Sequence, residues 1–505
     1  MTVLLVILFL GMLLVWAAVA SEKRRHRGLA EWQATAHELG LKLTGAEDAR
    51  SMGGMLNGVP VRVDFRSKIL HTRQATDAGA DYLGEVERTS FYAGRLPPLD
   101  EFGRRRGLDP IAGPRDAAIP ESLEVREDTL ARSLGRFVEG RDGMDGTSGD
   151  AAFDALVELP DMDASCCAAL SFRAREQLRA LIERGGQVRQ GRVEFERRVA
   201  VSHDRAWLVP MLQSLSRLAQ SLSVPADSLH RRLVDNATHD PIGGVRLKNL
   251  SFLLDPNTRT PPALVASTAQ KLLSDVHAPV RLLAARGLPA EGRPVLCTLV
   301  SGPGLATPLR LAALQALDER GEPPRELLSQ LLGSSPPELV RGALAIIAAR
   351  QLTGLSAAVV ECAQSEHASV RAAVASALGT LPAQPAQQVL IALLSDPSVD
   401  VQQASAEALG AMGSVAAVEP LLPLTEGLGR AQLRQAARAA IGRIQSRLGA
   451  VEAGRVSLAT GEPLLGAVAL VEAAQARVGE VSLAEEAELI SASEEALSRA
   501  RRTEP

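Results

Sequence analysis

Residues 370–379 read Val-Arg-Ala-Ala-Val-Ala-Ser-Ala-Leu-Gly, and residues 401–410 read Val-Gln-Gln-Ala-Ser-Ala-Glu-Ala-Leu-Gly. Residues 433–442 give a third copy, Leu-Arg-Gln-Ala-Ala-Arg-Ala-Ala-Ile-Gly. In each, apolar or small residues fall at i, i+3, i+7 and i+8: Val370, Ala373, Ala377 and Leu378 in the first copy. That spacing is one face of a helix. The Val/Leu-Arg start also occurs at Val280-Arg281, Leu309-Arg310 and Val340-Arg341, so successive copies lie 29, 31, 30, 31 and 32 residues apart. A shorter apolar helix precedes each copy, as in Val389 to Leu394, and Asp396-Pro397 then suits a helix N-cap followed by a first-turn proline. Gly379 and Gly410 suit helix C-termini. Each helix pair has an apolar face that only a neighbouring pair can cover. An all-α superhelical solenoid is expected over residues 240–450.

This period and pattern resemble HEAT repeats of the short phycobilisome-lyase type, over about residues 262–450. The resemblance implies that the second helix of each pair lines a concave face. It also implies that the arginine pairs with an aspartate in the turn before it, Arg281 with Asp275, whereas Gln402 replaces the arginine after Asp396. Asp240 to Arg246 looks like a degenerate entry copy. Residues 262–450 hold 15 Lys+Arg and 14 Asp+Glu, and no aromatic residue follows Phe252. A basic stripe and base-stacking rings are therefore both missing there, and no nucleic-acid partner is expected. Fold does not carry function, so the lyase resemblance implies no bilin chemistry.

Residues 2–20 (TVLLVILFLGMLLVWAAVA) carry no charge and are long enough for a membrane helix. Lys23, Arg24, Arg25 and Arg27 follow it, a positive-inside signal. The expectation is a single-pass inner-membrane anchor over 1–21, a basic juxtamembrane segment over 22–30, and a cytoplasmic bulk. The alternative is export after cleavage near Ala18-Val19-Ala20.

Between anchor and solenoid, residues 31–225 mix helical and strand periods, an α+β middle domain. Leu29–Leu39 and Ala206–Leu222 read as amphipathic helices, and Ala174–Arg184 as a helix ending at Gly185-Gly186. Val59–Phe65, Val193–Glu196 and Val199–Val201 read as strands. Trp32, Ala36, Gly40 and Leu41, with Gly149-Asp150-Ala151-Ala152-Phe153-Asp154, resemble the W-x-x-x-A-x-x-x-G-L and GD-x-x-FD elements of an uncharacterised domain of bacterial membrane-anchored proteins. That resemblance implies no chemistry. Residues 139–150 fail the calcium-loop spacing, since Met144 and Gly146 fall where oxygen ligands are needed. Cys166-Cys167 has no C-x-x-C partner and reads as a reduced, buried pair. No metal-binding, phosphate-binding or nucleophile-elbow motif is present.

Residues 451–505 have 10 acidic and 5 basic side chains, an acidic tail. The function expected is a membrane-tethered, non-enzymatic scaffold for a protein partner, without a cofactor. Its contact surface would include Gln402, Gln403, Arg434 and Gln435. The alternative is an enzyme or ligand-binding protein with its site in the 31–225 domain.

Overall fold

The computed structural model describes Met12, Trp16, Val19 and residues 28–45, 49–72, 82–98, 119–127, 146–159, 162–197, 205–321, 323–381, 384–426 and 430–451. It divides into two compact units, Met1–Gly321 and Glu322–Pro505.

In the first unit a helix over residues 28–39 (α1) buries Trp32, Thr35 and Ala36 and ends at Gly40, whose φ of 64° is left-handed. Leu41 N–H then donates to the Ala36 carbonyl at 2.8 Å, closing the helix end. Strands follow at Lys42–Gly45 (β1), Ala49–Leu56 (β2), Val59–Thr72 (β3) and Tyr82–Gly94 (β4). After the short Arg126–Glu127 (β5), Ala151–Asp154 (α2) and Val157–Glu158 (β6) come helices Ala164–Ala169 (α3) and Phe172–Ile182 (α4). Gln187–Arg189 (β7) and Arg192–Arg197 (β8) complete an antiparallel six-stranded sheet of order β1-β2-β3-β4-β8-β7. Its two tight hairpins turn at Asn57-Gly58 (φ 54° and 73°) and Gln190-Gly191 (φ 51° and 73°). Two successive positive φ values match the twist of paired strands.

Strand alternation sends Val61, Val63, Phe65, Phe91, Ala93, Val193 and Phe195 to one face, where all are buried. Trp32 meets Phe65 edge-on, with centroids 6.2 Å apart. Arg205–Leu222 (α5) covers the rest of that face, its Trp207 5.5 Å from Phe91. The helices and strands read from the sequence at 29–39, 59–65, 174–184, 193–196 and 206–222 all form. The strand at 199–201 and most of the 97–120 loop lie outside the described residues, as do most of the 139–150 segment and residues 452–505.

Three helix pairs complete this unit: Leu229–His239 with Gly243–Leu254 (α6, α7), Pro262–Leu272 with Ala278–Gly287 (α8, α9), and Gly292–Ser301 with Thr307–Glu319 (α10, α11). A single buried core runs from Trp32 through Phe153, Leu178 and Leu212 to Leu250, Val280 and Leu288. The sheet and the first helix pairs therefore share one interior, across the 225–240 boundary expected from sequence.

The second unit contains Arg325–Ser334 with Pro337–Ala349 (α12, α13) and Ser356–Glu361 with Ala368–Leu378 (α14, α15). Gln384–Leu393 with Val399–Met412 (α16, α17) and Val418–Leu421 with Ala431–Val451 (α18, α19) follow. The second helices stack in chain order, α13 on α15, α15 on α17 and α17 on α19. Gly379 caps α15 as the sequence suggests, but Gly410 lies inside α17, which continues to Met412. Its role is close approach: a Cβ there would sit 2.9 Å from the Ala440 Cα.

The expected transmembrane part of the fold is corrected. Among the described residues no helix is long and apolar enough to cross a membrane. A span needs about 20 consecutive apolar residues. The long described helices are amphipathic instead: α5 carries Arg205 and Arg217, and α19 carries Arg434, Arg438, Arg443 and Arg447 opposite a buried stripe. Of the 2–20 segment only Met12, Trp16 and Val19 are described, each helical and exposed. The single-pass, inner-membrane assignment is therefore not supported by any described helix. What stands is a helical, HEAT-like fold preceded by a sheet.

Candidate functional site

The turns that join the two helices of a pair repeat one polar arrangement, at Asp240 and Asp275 in the first unit and at Asp396 in the second. Asp240, between α6 and α7, accepts the Ile242 N–H at 3.0 Å, and Asp275 and Asp396 likewise accept the His277 and Ser398 N–H groups at 2.7 and 2.8 Å. Each carboxylate also takes a guanidinium from a helix earlier in the chain than the one that leads into its turn. Arg246 holds Asp275 through Nε and Nη2, both at 2.7 Å, and Arg371 holds Asp396 at 2.7 and 2.9 Å. Arg175, on α4 of the sheet-containing region, holds Asp240 at 2.9 and 3.0 Å.

The pairing implied by the family resemblance is thus shifted by one repeat. Arg281 does not take the Asp275 carboxylate; its Nη1 donates to the Asp275 backbone carbonyl at 2.6 Å. The same inward bond runs from Arg246 to the Asp240 carbonyl at 2.8 Å and from Arg371 to that of Ser365 at 2.7 Å. Each of Arg246 and Arg371 therefore ties its own turn to the next one. A bidentate fork suits this task because it fixes both distance and direction.

Arg175 is the most deeply placed of these groups. Its side chain is fully buried, and Nε also donates to Asp150 at 3.0 Å. Asp150 caps α2 by accepting the Phe153 N–H at 3.2 Å, while Asp154 accepts from Ser148 Oγ at 2.6 Å. The GD-x-x-FD element is accounted for by this: a capped turn, a buried Phe153 and a carboxylate for Arg175. Gly149, at φ 88°, lies so close to Gly244 that a Cβ on it would be 2.4 Å from the Gly244 carbonyl. The turn of Asp150 and the turn of Asp240 are locked backbone to backbone.

Elsewhere in this unit, Asp64 accepts from Ser51 Oγ at 2.7 Å and from Arg62 Nε at 3.0 Å on the sheet face opposite the core. Burial pushes the nearby Tyr92 hydroxyl above its ordinary pKa. Cys166 and Cys167 are buried, and that burial pushes both thiols up to about 12. They are protonated at neutral pH and poor nucleophiles. Among the described residues no group of three or more His, Cys, Asp or Glu could hold a metal ion.

The four residues expected to meet a partner lie on α17 and α19. Gln402 is buried, and its Nε2 donates to the Asp396 carbonyl at 2.7 Å, replacing the inward bond of an arginine. Gln403 is half-buried and donates to Glu407 at 2.9 Å; Arg434 is half-buried and Gln435 exposed. Sequence reasoning missed Arg175 altogether, and named Asp150 and Arg246 only within resemblance motifs, without their partners. The signal for Arg246 was present, since an aspartate recurs six residues before it, before Arg281 and before Gln402.

The carboxylates of this ladder make the fold acid-sensitive. The Arg371 hydrogen bonds hold the Asp396 carboxyl below the ordinary range against burial, helped by the Ser398 amide. Burial alone would raise Asp275, but the Arg246 hydrogen bonds, the His277 amide and the charge of Arg246 outweigh it and lower that carboxyl. A depressed folded pKa stabilises above the unfolded value, about 3.9, and is lost as pH falls through the folded value. Urea midpoints should therefore drop on acidification below about pH 4, and Asp396→Asn should flatten that drop. Equal slopes in parent and variant would refute the assignment.

A family model described as HEAT repeats matches residues 356–442, from α14 into α19. Over that stretch the chain is similar to HEAT repeats. No curated protein matches the sequence. Among solved structures, the complex of CpcE and CpcF of phycocyanin lyase from Nostoc sp. PCC7120 is 18% identical, covering 44% of this chain and 94% of that one, with a TM-score of 0.24. Human deoxyhypusine hydroxylase in complex with glycerol is 19% identical over 46% and 91% of the two chains, with a TM-score of 0.23. An engineered protein is 17% identical over 48% and 67%, with a TM-score of 0.21. Scores this low carry no argument about activity.

Proposed function

We propose that this chain is a protein-interaction scaffold built on its HEAT repeats, binding a protein segment along α17 and α19. The observation that carries the reading is positional. Gln403 and Gln435 occupy the same register position on two helices that pack against each other, with Arg434 beside them. The groups one residue earlier on α17 are committed to the fold, Gln402 to its own turn. A polar strip carried on rigidly tied helices suits many modest contacts with an extended or helical partner.

The test is affinity purification of the full chain beside the double variant Gln403→Trp, Arg434→Glu. Loss of a central contact worth about 1.4 kcal/mol weakens capture about tenfold, while the thermal midpoint should stay in place. The reading fails if both proteins retain the same partners in the same amount, or if the parent retains nothing above bare resin.

A further inference from the structure

A cleft of about 410 Å³ opens in the second unit between the α12–α13 pair and the α14–α15 pair. Its lining includes Ser335, Val340, Ala358, Glu361, Ser365 and His367. That volume is in the range of sites for small ligands and side chains. Its place in the turn system explains why it is open.

At four other turns, the backbone carbonyl six residues before the ladder side chain is filled by that side chain, whereas Arg310 donates instead to the Val300 carbonyl at 2.7 Å. Arg246, Arg281, Arg371 and Gln402 donate to the carbonyls of Asp240, Asp275, Ser365 and Asp396 at 2.8, 2.6, 2.7 and 2.7 Å. At the cleft the corresponding pair is Arg341 and Ser335. Arg341 is exposed, and among the described residues its side chain has no partner. Among the described residues nothing donates to the Ser335 carbonyl. The next turn carries Ser365 where Asp275 and Asp396 stand elsewhere, so the carboxylate that Arg246 and Arg371 grip has no counterpart for Arg341. Glu361 adds a negative charge to the lining, and His367 is the other titratable side chain there besides the Cys362 thiol.

We propose that this cleft binds an arginine side chain from a partner protein, its guanidinium donating to the Ser335 carbonyl and pairing with Glu361. This rests on the scaffold reading and names a second contact for it. The site would hold in trans the guanidinium that the chain holds in cis at the Asp240, Asp275 and Ser365 carbonyls. A guanidinium fits because a backbone carbonyl and a carboxylate are both acceptors, and its planar fork can serve both.

The experiment titrates the full chain with a fluorescent, N-acetylated and C-amidated pentapeptide, Ala-Leu-Arg-Ala-Ala, and with its citrulline counterpart, which has the same shape without the charge. The arginine peptide should bind about tenfold more tightly, the scale of a charge-assisted hydrogen bond. Glu361→Gln should weaken it about threefold, an exposed ion pair being modest. Ala358→Trp, which fills the cleft, should abolish binding, and Arg341→Ala should leave binding intact or tighten it by removing the internal competitor. Equal binding of the two peptides overturns the proposal, as does absence of binding or indifference to Glu361→Gln. If partners are captured through Gln403 and Arg434 while the peptide fails, only the cleft assignment falls. If the peptide binds but the full chain captures no protein, the scaffold reading falls instead.

Discussion

Arg175→Ala is expected to cost about 3–5 kcal/mol, the largest effect of any single polar substitution in the described part of this chain. The reason is what remains after truncation. Asp150 and Asp240 are 4% and 6% exposed, and both lose the Arg175 guanidinium, Asp150 keeping only the longer contact from Arg179 at 3.5 Å. Two neighbouring buried carboxylates then repel each other and lack solvent. The Leu170 carbonyl also loses its donor at 2.8 Å. Arg175→Lys should recover only part of the loss, because an ammonium cannot make the two-pronged contact with Asp240 while reaching Asp150. The measurement is urea unfolding followed by tryptophan fluorescence, since Trp32 and Trp207 both sit against the sheet. A loss below about 1 kcal/mol, the size of an exposed ion pair, would refute the argument.

That prediction depends on a contact the sequence concealed, and the reason is physical. Helical repeats announce themselves because one face is apolar at a fixed period; Val370, Val401 and Leu433 are legible without any structure. The strand over Val59–Phe65 is legible for a similar local reason, its alternation at period two. An ion pair between Arg175 and Asp240 spans 65 residues and two different kinds of local structure. No period links them. Even within the repeats, the aspartate and arginine of one turn are close in sequence, which favours reading them as partners. The helix geometry gives the carboxylate to the previous repeat and the carbonyl to its own. Gln402 shows how this distinction decides a role: as a pairing residue it would be defective, but as a donor to the Asp396 carbonyl it is adequate. It therefore drops out of the exposed surface, leaving Gln403, Arg434 and Gln435. The domain boundary was obscured in the same way. The 225–240 segment marks a change of periodicity, whereas the buried core follows side-chain contact from Phe153 and Leu178 to Leu250.

Leu409→Ala should destabilise the second unit by about 2–5 kcal/mol through lost burial and the cavity left behind. Leu409 is fully buried on α17, between second helices that stack on both sides. Its surroundings cannot close the hole easily. Gly379 is already held against Ala408, a Cβ there meeting the Ala408 Cβ at 2.8 Å, and Gly410 is equally close to Ala440. With backbones at their limit of approach, relaxation is restricted and the cost should lie in the upper part of the range. Leu378→Ala, at the equivalent position of α15, should behave alike. The repeats depend mainly on their neighbours, and Met1–Gly321 forms its own compact unit. The loss should therefore stay local. All three tryptophans precede residue 253, so fluorescence reports the first unit while far-ultraviolet circular dichroism also follows the helices of the second. Leu409→Ala should lower the midpoint of part of the dichroism signal and leave the fluorescence midpoint where it was. A single transition, shifted equally in both signals, would mean that the two units unfold as one.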